Sequence, residues 1–328
     1  MEKAKQYFCA KPNGKLHYPH TILTGFGFLA SSIAWAIYDP YITKILNHLL
    51  NNSATITSWS AKLNAAFPAL AEFAAANGED VTTAAGGITL VPLFIGIIMT
   101  FDNIFGVIFQ PTFGKLSDNT HSRFGKRRPY VIFGAPISAI LFAIIPIVAI
   151  KVGSLPLTML FIILFVFVMS LWRAPVVALM PDLTPSDIRS EGNAVINLMG
   201  SAGGILVLAL GMVFATSAVR NSLMSYTGYF AVIAAIMLAA LVIFMLTVRE
   251  KEWAYEMQQQ AVALGIEEET QAQEESAGGR KLSVDEVKSL IFLLLSIVLW
   301  FFGYNAVTSK YSVYASNILH KDYNLTLI

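Results

Sequence analysis

The sequence has 328 residues, of which 55% are hydrophobic and only 13% charged, and its formal net charge is +1. A soluble domain is about one quarter charged, so this composition indicates an integral membrane protein. The balance of acids and bases excludes a nucleic-acid-binding surface, which needs a clear basic excess. The single cysteine, Cys9, excludes an internal disulfide and a multi-cysteine metal or redox site. We expect no cofactor and no bound metal.

Seven stretches are long and apolar enough to cross a bilayer, whose hydrocarbon core of about 30 Å needs about 20 helical residues. They lie at residues 21–46, 87–115, 129–150, 156–180, 193–217, 225–248 and 286–312. The sequence therefore predicts an all-α integral membrane protein with seven transmembrane helices.

These spans divide the chain into segments. They are a cytoplasmic leader (1–20), a six-helix bundle (21–248) with an external excursion (47–86), a Glu- and Gln-rich cytoplasmic linker (249–284) and a final span (285–328). A single span after the linker has no helix to pair with, so we expect a larger protein whose C-terminal half is missing. In the excursion, Trp59, Leu63, Phe67 and Leu70 recur at helical spacing. We expect a partly helical lid that rests on the neighbouring spans.

Basic residues in the short loops predict the orientation. The leader has four lysines, and the loop after the second span has Arg123, Lys126, Arg127 and Arg128. The opposite loops have few basic residues, so we expect both basic segments on the cytoplasmic side of the cell (inner or plasma) membrane.

Three ionisable residues stand out inside the spans: Asp39, Asp102 and Arg173. A charge at the centre of a span costs roughly 2.5 to 3.5 kcal/mol on insertion scales, so each raises a functional question. Arg173 is either a substrate ligand or one half of a structural ion pair with Asp39 or Asp102.

Aromatic residues accompany Asp39, among them Trp35 and Tyr38. Aromatic faces stack on sugar rings while carboxylates and amides bond the hydroxyls, which makes these three residues candidates for sugar binding. The alternative is an aromatic belt at the membrane interface. Gln110 and Asn197 either bond hydroxyls in the same way or hold helices together.

The sequence offers no sign of an enzyme. No nucleophile sits beside a base, and the five histidines fall in leaders, loops or ends: His17, His20, His48, His121 and His320. We expect no catalytic residues.

The stretch GKLSDNTHSRFGKRRP (114–129) contains the most specific motif of the chain. It resembles the loop between the second and third helices of the major facilitator superfamily, in the form of the glycoside-pentoside-hexuronide cation symporters and the sucrose transporters. The stretch WRAPVVALMPDLTPSDIRSEGNAVINLMGSAGG (172–204) is similar to sugar carriers of that branch. The resemblance implies two six-helix halves, of which this chain would hold the first half and one further helix.

The resemblance also implies roles for single residues. An arginine in the fourth helix of such carriers helps to recognise the substrate, which assigns that role to Arg173. The residues around the basic loop would form a latch that holds one bundle against its neighbour until the bundles rock: Gly114, Asp118, Arg123, Gly125, Arg127, Arg128 and Asp182. The alternative is that this cluster only sets the topology.

The coupling ion follows from a departure from the family pattern. Sodium-coupled relatives hold sodium with carboxylates on the second helix, one of them in an Asp-Pro step, whereas this chain has Gln110 before Pro111. The second helix therefore has Asp102 as its one acid inside the membrane. A lone buried carboxylate suits a proton better than a hard cation that needs several oxygens. We expect proton coupling through Asp102 or Asp39, with sodium coupling as the alternative.

The prediction is therefore a secondary active transporter, a proton-coupled symporter of a sugar or glycoside that works by alternating access in the lipid bilayer. A truncated membrane protein that senses or assembles without transporting is the alternative from another class.

Overall fold

The computed structural model describes residues 15–77, 87–214, 224–263 and 283–317. Helices form almost all of this part, and seven of them are long and apolar enough to cross a membrane, as the sequence predicted. The helices are α1 (Tyr18–Asn51), α2 (Ala54–Ala66), α3 (Pro68–Asn77), α4 (Val91–Asp118), α5 (Arg128–Ile147), α6 (Leu155–Leu183), α7 (Arg189–Val213), α8 (Met224–Thr247), α9 (Glu250–Ala263) and α10 (Val284–Asn317).

Six long helices (α1 and α4 to α8) form one antiparallel bundle. The turn between α4 and α5 (residues 119–127, called the basic loop) lies at the same end of the bundle as the start of α1 and the ends of α6 and α8. We call this the basic-loop end and the opposite one the far end. A π-helical turn, Val148–Val152, extends α5 at the far end, where Gly153 stops it with φ +66°.

Aromatic rings from four helices fill the centre of the bundle. Phe142 of α5 stacks on Phe230 of α8 with ring centroids 4.6 Å apart and meets Phe165 of α6 at 5.4 Å. Tyr38 of α1 stacks on Phe165 from the other side at 5.3 Å. These side chains are fully buried, so α1, α5, α6 and α8 share one core.

Small residues bring α7 against α1. A Cβ added at Gly200 would lie 2.7 Å from the Phe28 ring, and one added at Gly203 would lie 3.0 Å from the Ile33 side chain. The glycines of GSAGG (200–204) therefore allow α7 to pack closely against α1.

Some element boundaries differ from the predicted ones. The bundle does not stop at residue 248, because α9 continues it with Glu250, Trp253 and Ala261 buried. The stretch 264–282 of the predicted linker lies outside the described residues, as do most of the leader and the end of the chain. None of the apolar window of α10 is buried inside the described structure.

The excursion is helical, but much of the predicted apolar stripe is exposed. Proline at position 68 separates α2 from α3, so the helical spacing of Trp59, Phe67 and Leu70 is not one continuous face. These three side chains are exposed, while Ile56 and Ser60 are buried. The prediction of a partly helical excursion that rests on the neighbouring spans therefore holds for α2, whose Trp59 ring lies 5.9 Å from the Phe94 ring of α4, but not for Phe67 and Leu70.

Candidate functional site

A cavity of about 1200 Å³ opens between α1, α4 and α6. Its lining includes residues from all three helices: Trp35, Asp39, Asn103, Gln110, Arg173 and Val177. Asp39 is 12 residues from the end of α1 and Arg173 is 10 residues from the end of α6, which corresponds to about 18 Å and 15 Å of helix. Both charged residues therefore lie in the interior of helices long enough to span a membrane, several turns from either helix end.

Arg173 and Trp35 form the polar and aromatic centre of the cavity. The guanidinium carbon of Arg173 lies 5.3 Å from the centroid of the Trp35 ring, within cation–π distance. Within the described residues, Arg173 Nε and the indole nitrogen of Trp35 are buried and have no hydrogen-bond partner. A buried donor without a partner costs free energy, so the described structure leaves two polar groups beside the cavity unsatisfied.

Asp39 provides the opposite charge. It lines the same cavity as Arg173, but within the described part of the chain no ion pair joins the two side chains directly. Asp39 is exposed to the cavity. The cavity thus offers one acceptor carboxylate and several donors with space between them.

The other predicted substrate residues have different positions. Gln110 lines the cavity. Tyr38 is fully buried and packs between Trp35 and Phe165, so it supports the Trp35 ring and does not line the cavity. The amide of Asn197 donates to the Asn193 backbone oxygen at 2.8 Å, on an exposed face of α7 away from the cavity lining.

Asn103 is a cavity residue that the sequence reasoning missed. Its amide nitrogen donates to the Met99 carbonyl at 3.1 Å, which leaves its side-chain oxygen available as an acceptor. Asn103 lies seven residues before Gln110, which is two helical turns, so both amides are on one face of α4. This spacing could have identified Asn103 from the sequence. The Asp102 side chain lies outside the described residues, so its predicted role in ion coupling stays a prediction.

Arg127 organises the basic-loop end of the bundle. Its guanidinium bonds Asp118 of α4 and, at 2.9 Å, Asp182 of α6. It also donates to the Gly114 carbonyl at 3.1 Å and to the Ser117 hydroxyl. The side chain is only 5% exposed, so one buried cation joins α4, α5 and α6.

Glu250 of α9 caps α5, which the sequence reasoning did not anticipate. Its carboxylate accepts hydrogen bonds from the backbone N–H groups of Lys126, Arg127 and Arg128 at 2.7 to 3.1 Å. A negative charge at a helix N-terminus satisfies otherwise unpaired N–H groups and complements the helix dipole. Glu250 lies in the segment assigned to the linker, more than 120 residues from its partners, so local spacing held no signal.

The remaining predicted latch residues divide into two groups. Gly125 adopts φ +116° directly against Glu250, and the Arg128 side chain donates to the Met245 carbonyl of α8 at 2.6 Å. Arg123, in contrast, is exposed, and its guanidinium lies 4.6 Å above the Phe124 ring. The partners described for this network all belong to one bundle, so its action between two bundles stays a prediction.

Gly125→Ala is expected to destabilise the protein. The φ value disfavours any residue with a Cβ by about 1 to 3 kcal/mol, and the added Cβ would clash with the Glu250 carboxylate. Gly114→Ala is the matched control, because no atom lies within 4 Å of a Cβ there and alanine favours a helix by about 0.5 to 1 kcal/mol. Thermal unfolding in detergent compares the two. Equal midpoints would contradict the described conformation of the basic loop.

Metal binding finds no support in the cavity or the basic loop. Across the ranges that the structure describes, no three His, Cys, Asp or Glu side chains come together in a way that holds a metal ion.

Comparison with known families identifies a match over most of the chain. The family model described as the Major Facilitator Superfamily matches residues 21–328. No curated protein matches the sequence. The match covers the six bundle helices, α9 and α10 together.

Proposed function

The chain belongs to the Major Facilitator Superfamily of membrane transporters, and from this premise we propose that it is a proton-coupled symporter of a sugar or glycoside. We assign it to the branch of the glycoside-pentoside-hexuronide symporters and sucrose transporters. The long form of the basic-loop motif supports this assignment. The observation that carries the proposal is the cavity in which Arg173, Trp35 and Asp39 come together in the interior of the spanning helices.

The chemistry of these residues fits a neutral polyol ring. The Arg173 guanidinium and the Trp35 indole N–H supply donors, while Asp39 and the Asn103 side-chain oxygen supply acceptors. Sugar hydroxyls both donate and accept, so one ring can satisfy both groups. The exposed part of the Trp35 ring offers an apolar surface for the C–H face of a sugar. The volume of about 1200 Å³ has space for a disaccharide and water.

We propose Asp39 as the proton carrier. A deprotonated Asp39 carboxylate and the Arg173 guanidinium carry opposite charges on one cavity, and protonation of Asp39 removes their attraction, which leaves the guanidinium to the substrate hydroxyls. Binding of the proton therefore favours binding of the sugar, and the two leave the site together. Asp102, whose side chain is not described, is the second candidate from the sequence.

The basic-loop end lies in the cytoplasm in this proposal. It carries Arg123, Lys126, Arg127 and Arg128, and the excess of basic residues on the cytoplasmic side of membrane proteins supports this orientation. The buried network of Arg127 then lies at the cytoplasmic end of the bundle, where a second bundle would pack against it during alternating access.

Uptake into membrane vesicles tests the proposal. Labelled sucrose, maltose, melibiose and phenyl glucoside are offered under an imposed inward pH gradient, an imposed inward sodium gradient or neither. We expect accumulation of at least one sugar with the pH gradient alone. Uptake that depends on sodium and ignores the pH gradient would make the protein a sodium symporter. Binding without uptake under any gradient would refute transport.

Asp39→Asn is expected to abolish accumulation against a gradient while leaving exchange of external for internal sugar, because a neutral amide mimics the protonated acid. Asp102→Asn is the matched variant on α4. If Asp102 carries the proton, Asp102→Asn is the variant that loses accumulation and keeps exchange. Accumulation by Asp39→Asn at the rate of the unchanged protein would exclude Asp39 as the proton carrier. The measurement is the ratio of accumulation to exchange in the same vesicles.

A further inference from the structure

The helical hairpin α2–α3 is fixed at the membrane boundary. Only Asn52 and Ser53 separate the end of α1 from α2. The Asn64 side chain holds both backbone groups of Ile88, accepting from its N–H at 2.8 Å and donating to its carbonyl at 3.1 Å. The Leu90 N–H donates to the Ser60 hydroxyl at 3.1 Å. Because α4 begins at the next residue, α2 is held where α1 leaves the membrane and α4 enters it.

The depth of α2 follows from an aromatic contact. The ring of Trp59 lies 5.9 Å from the ring of Phe94, between centroids. Phe94 is in the first turn of α4, one of the membrane-spanning helices. Trp59 is therefore level with the outermost turn of a span, at the depth where tryptophan is enriched in membrane proteins.

Apolar side chains cover the outward side of the hairpin. Four large ones are exposed: Trp59 by 47%, Phe67 by 56%, Leu70 by 54% and Phe73 by 65%. We call these four residues the hairpin patch. Helix α3, PALAEFAAAN, has Glu72 as its one charged residue and Asn77 at its end, and otherwise contains alanine, proline, Leu70 and Phe73. A helix that is apolar on most sides is unfavourable in water.

We propose that the hairpin patch is a lipid-binding surface, so that α2–α3 lies along the membrane with Trp59, Phe67, Leu70 and Phe73 in the boundary between headgroups and acyl chains. Short helices with aromatic and leucine side chains bind membrane interfaces in this way. The hairpin has one base, Lys62, and one acid, Glu72, so no anionic lipid is needed. The partner is therefore a neutral phospholipid surface.

The inward side of α2 is already used by the protein. Ile56 and Ser60 are buried, whereas the side chains of Phe67, Leu70 and Phe73 are more than half exposed. Leu93 and Ile97, in the first two turns of α4, are also exposed apolar residues at this end. They extend the apolar surface of the patch along a spanning helix. The proposal needs only that the protein crosses a membrane, so it does not depend on transport or on the substrate.

Site-directed spin labelling of the full chain in phosphatidylcholine vesicles tests the proposal. Cys9→Ser gives a background without cysteine, to which Leu70→Cys or Phe73→Cys is added in the patch and Lys62→Cys at an exposed, charged position of α2. Each nitroxide is measured for collisions with oxygen, which concentrates in lipid, and with a water-soluble nickel chelate. We expect the oxygen-to-nickel collision ratio to be severalfold higher at Leu70 and Phe73 than at Lys62.

Two other results would overturn the proposal. A ratio at both patch positions equal to that at Lys62 would mean that the patch is in water. Low collision rates with both reagents would mean that protein covers it. All three cysteines lie on an exposed hairpin, and the unchanged circular dichroism of each labelled variant would show that the comparison concerns folded protein.

Discussion

Arg173→Ala is expected to weaken sugar binding by about 10- to 100-fold and to stop uptake, because a hydrogen bond from a charged donor to a ligand contributes about 1.5 to 3 kcal/mol. Arg173 is central to this account: it lies above the Trp35 ring, lines the same cavity as Asp39 and has a buried donor without a partner in the described structure. The measurement is equilibrium binding of whichever sugar the vesicles accumulate.

Arg173→Lys separates charge from geometry. Lysine keeps the positive charge but lacks the planar fork of donors, so we expect a partial loss of binding. Lys151→Ala is the matched control, because it removes an exposed cation at the far end of the bundle and is expected to leave binding unchanged. Normal binding by Arg173→Ala would exclude the cavity as the sugar site.

Arg127→Ala is expected to lower the stability of the protein by about 3 kcal/mol and to reduce transport. Removing one partner of a buried ion pair costs about 3 to 5 kcal/mol, because the other charge stays unpaired. The low end applies, since the Asp118 and Asp182 side chains are 55% and 26% exposed and water can solvate them in part. The midpoint of thermal unfolding in detergent reports the loss.

Arg123→Ala is the control in the same loop. Arg123 is exposed and contacts the Phe124 ring, so its loss is expected to change the unfolding midpoint little. If both variants unfold at the temperature of the unchanged protein, the ion pairs of Arg127 contribute nothing, and the cluster only sets the topology.

The number and order of the spans were predictable, because twenty-residue apolar runs have few other uses. Helix boundaries were less so: α1 extends to Asn51, past the predicted end at residue 46, because Asp39, Lys44 and Asn47 are polar residues in a helix that the bundle stabilises. The excursion shows the same limit. The spacing of Trp59, Phe67 and Leu70 predicted one stripe, but the chain breaks at Pro68, and the contacts that anchor it are polar.

The charged residues of the candidate site were predictable, because a charge inside a membrane span is costly. Asp39 and Arg173 were identified because charge inside a span needs a reason, and the structure places both on one cavity. Tyr38 was not distinguishable from Trp35 by sequence, since only helix rotation decides which ring faces the cavity. Glu250 was beyond prediction, because its role depends on the folded approach of α9 to the start of α5.

The central claim is that the cavity between α1, α4 and α6 binds the transported sugar, and its most direct test is protection of a cavity cysteine from alkylation. Val177→Cys in the Cys9→Ser background places a thiol on the cavity wall, and Ser186→Cys places one in an exposed turn outside it. The account predicts that the transported sugar slows alkylation at position 177 with a half-maximal concentration near its binding constant and leaves position 186 unchanged. An unchanged rate at position 177 in protein that transports the sugar would contradict it.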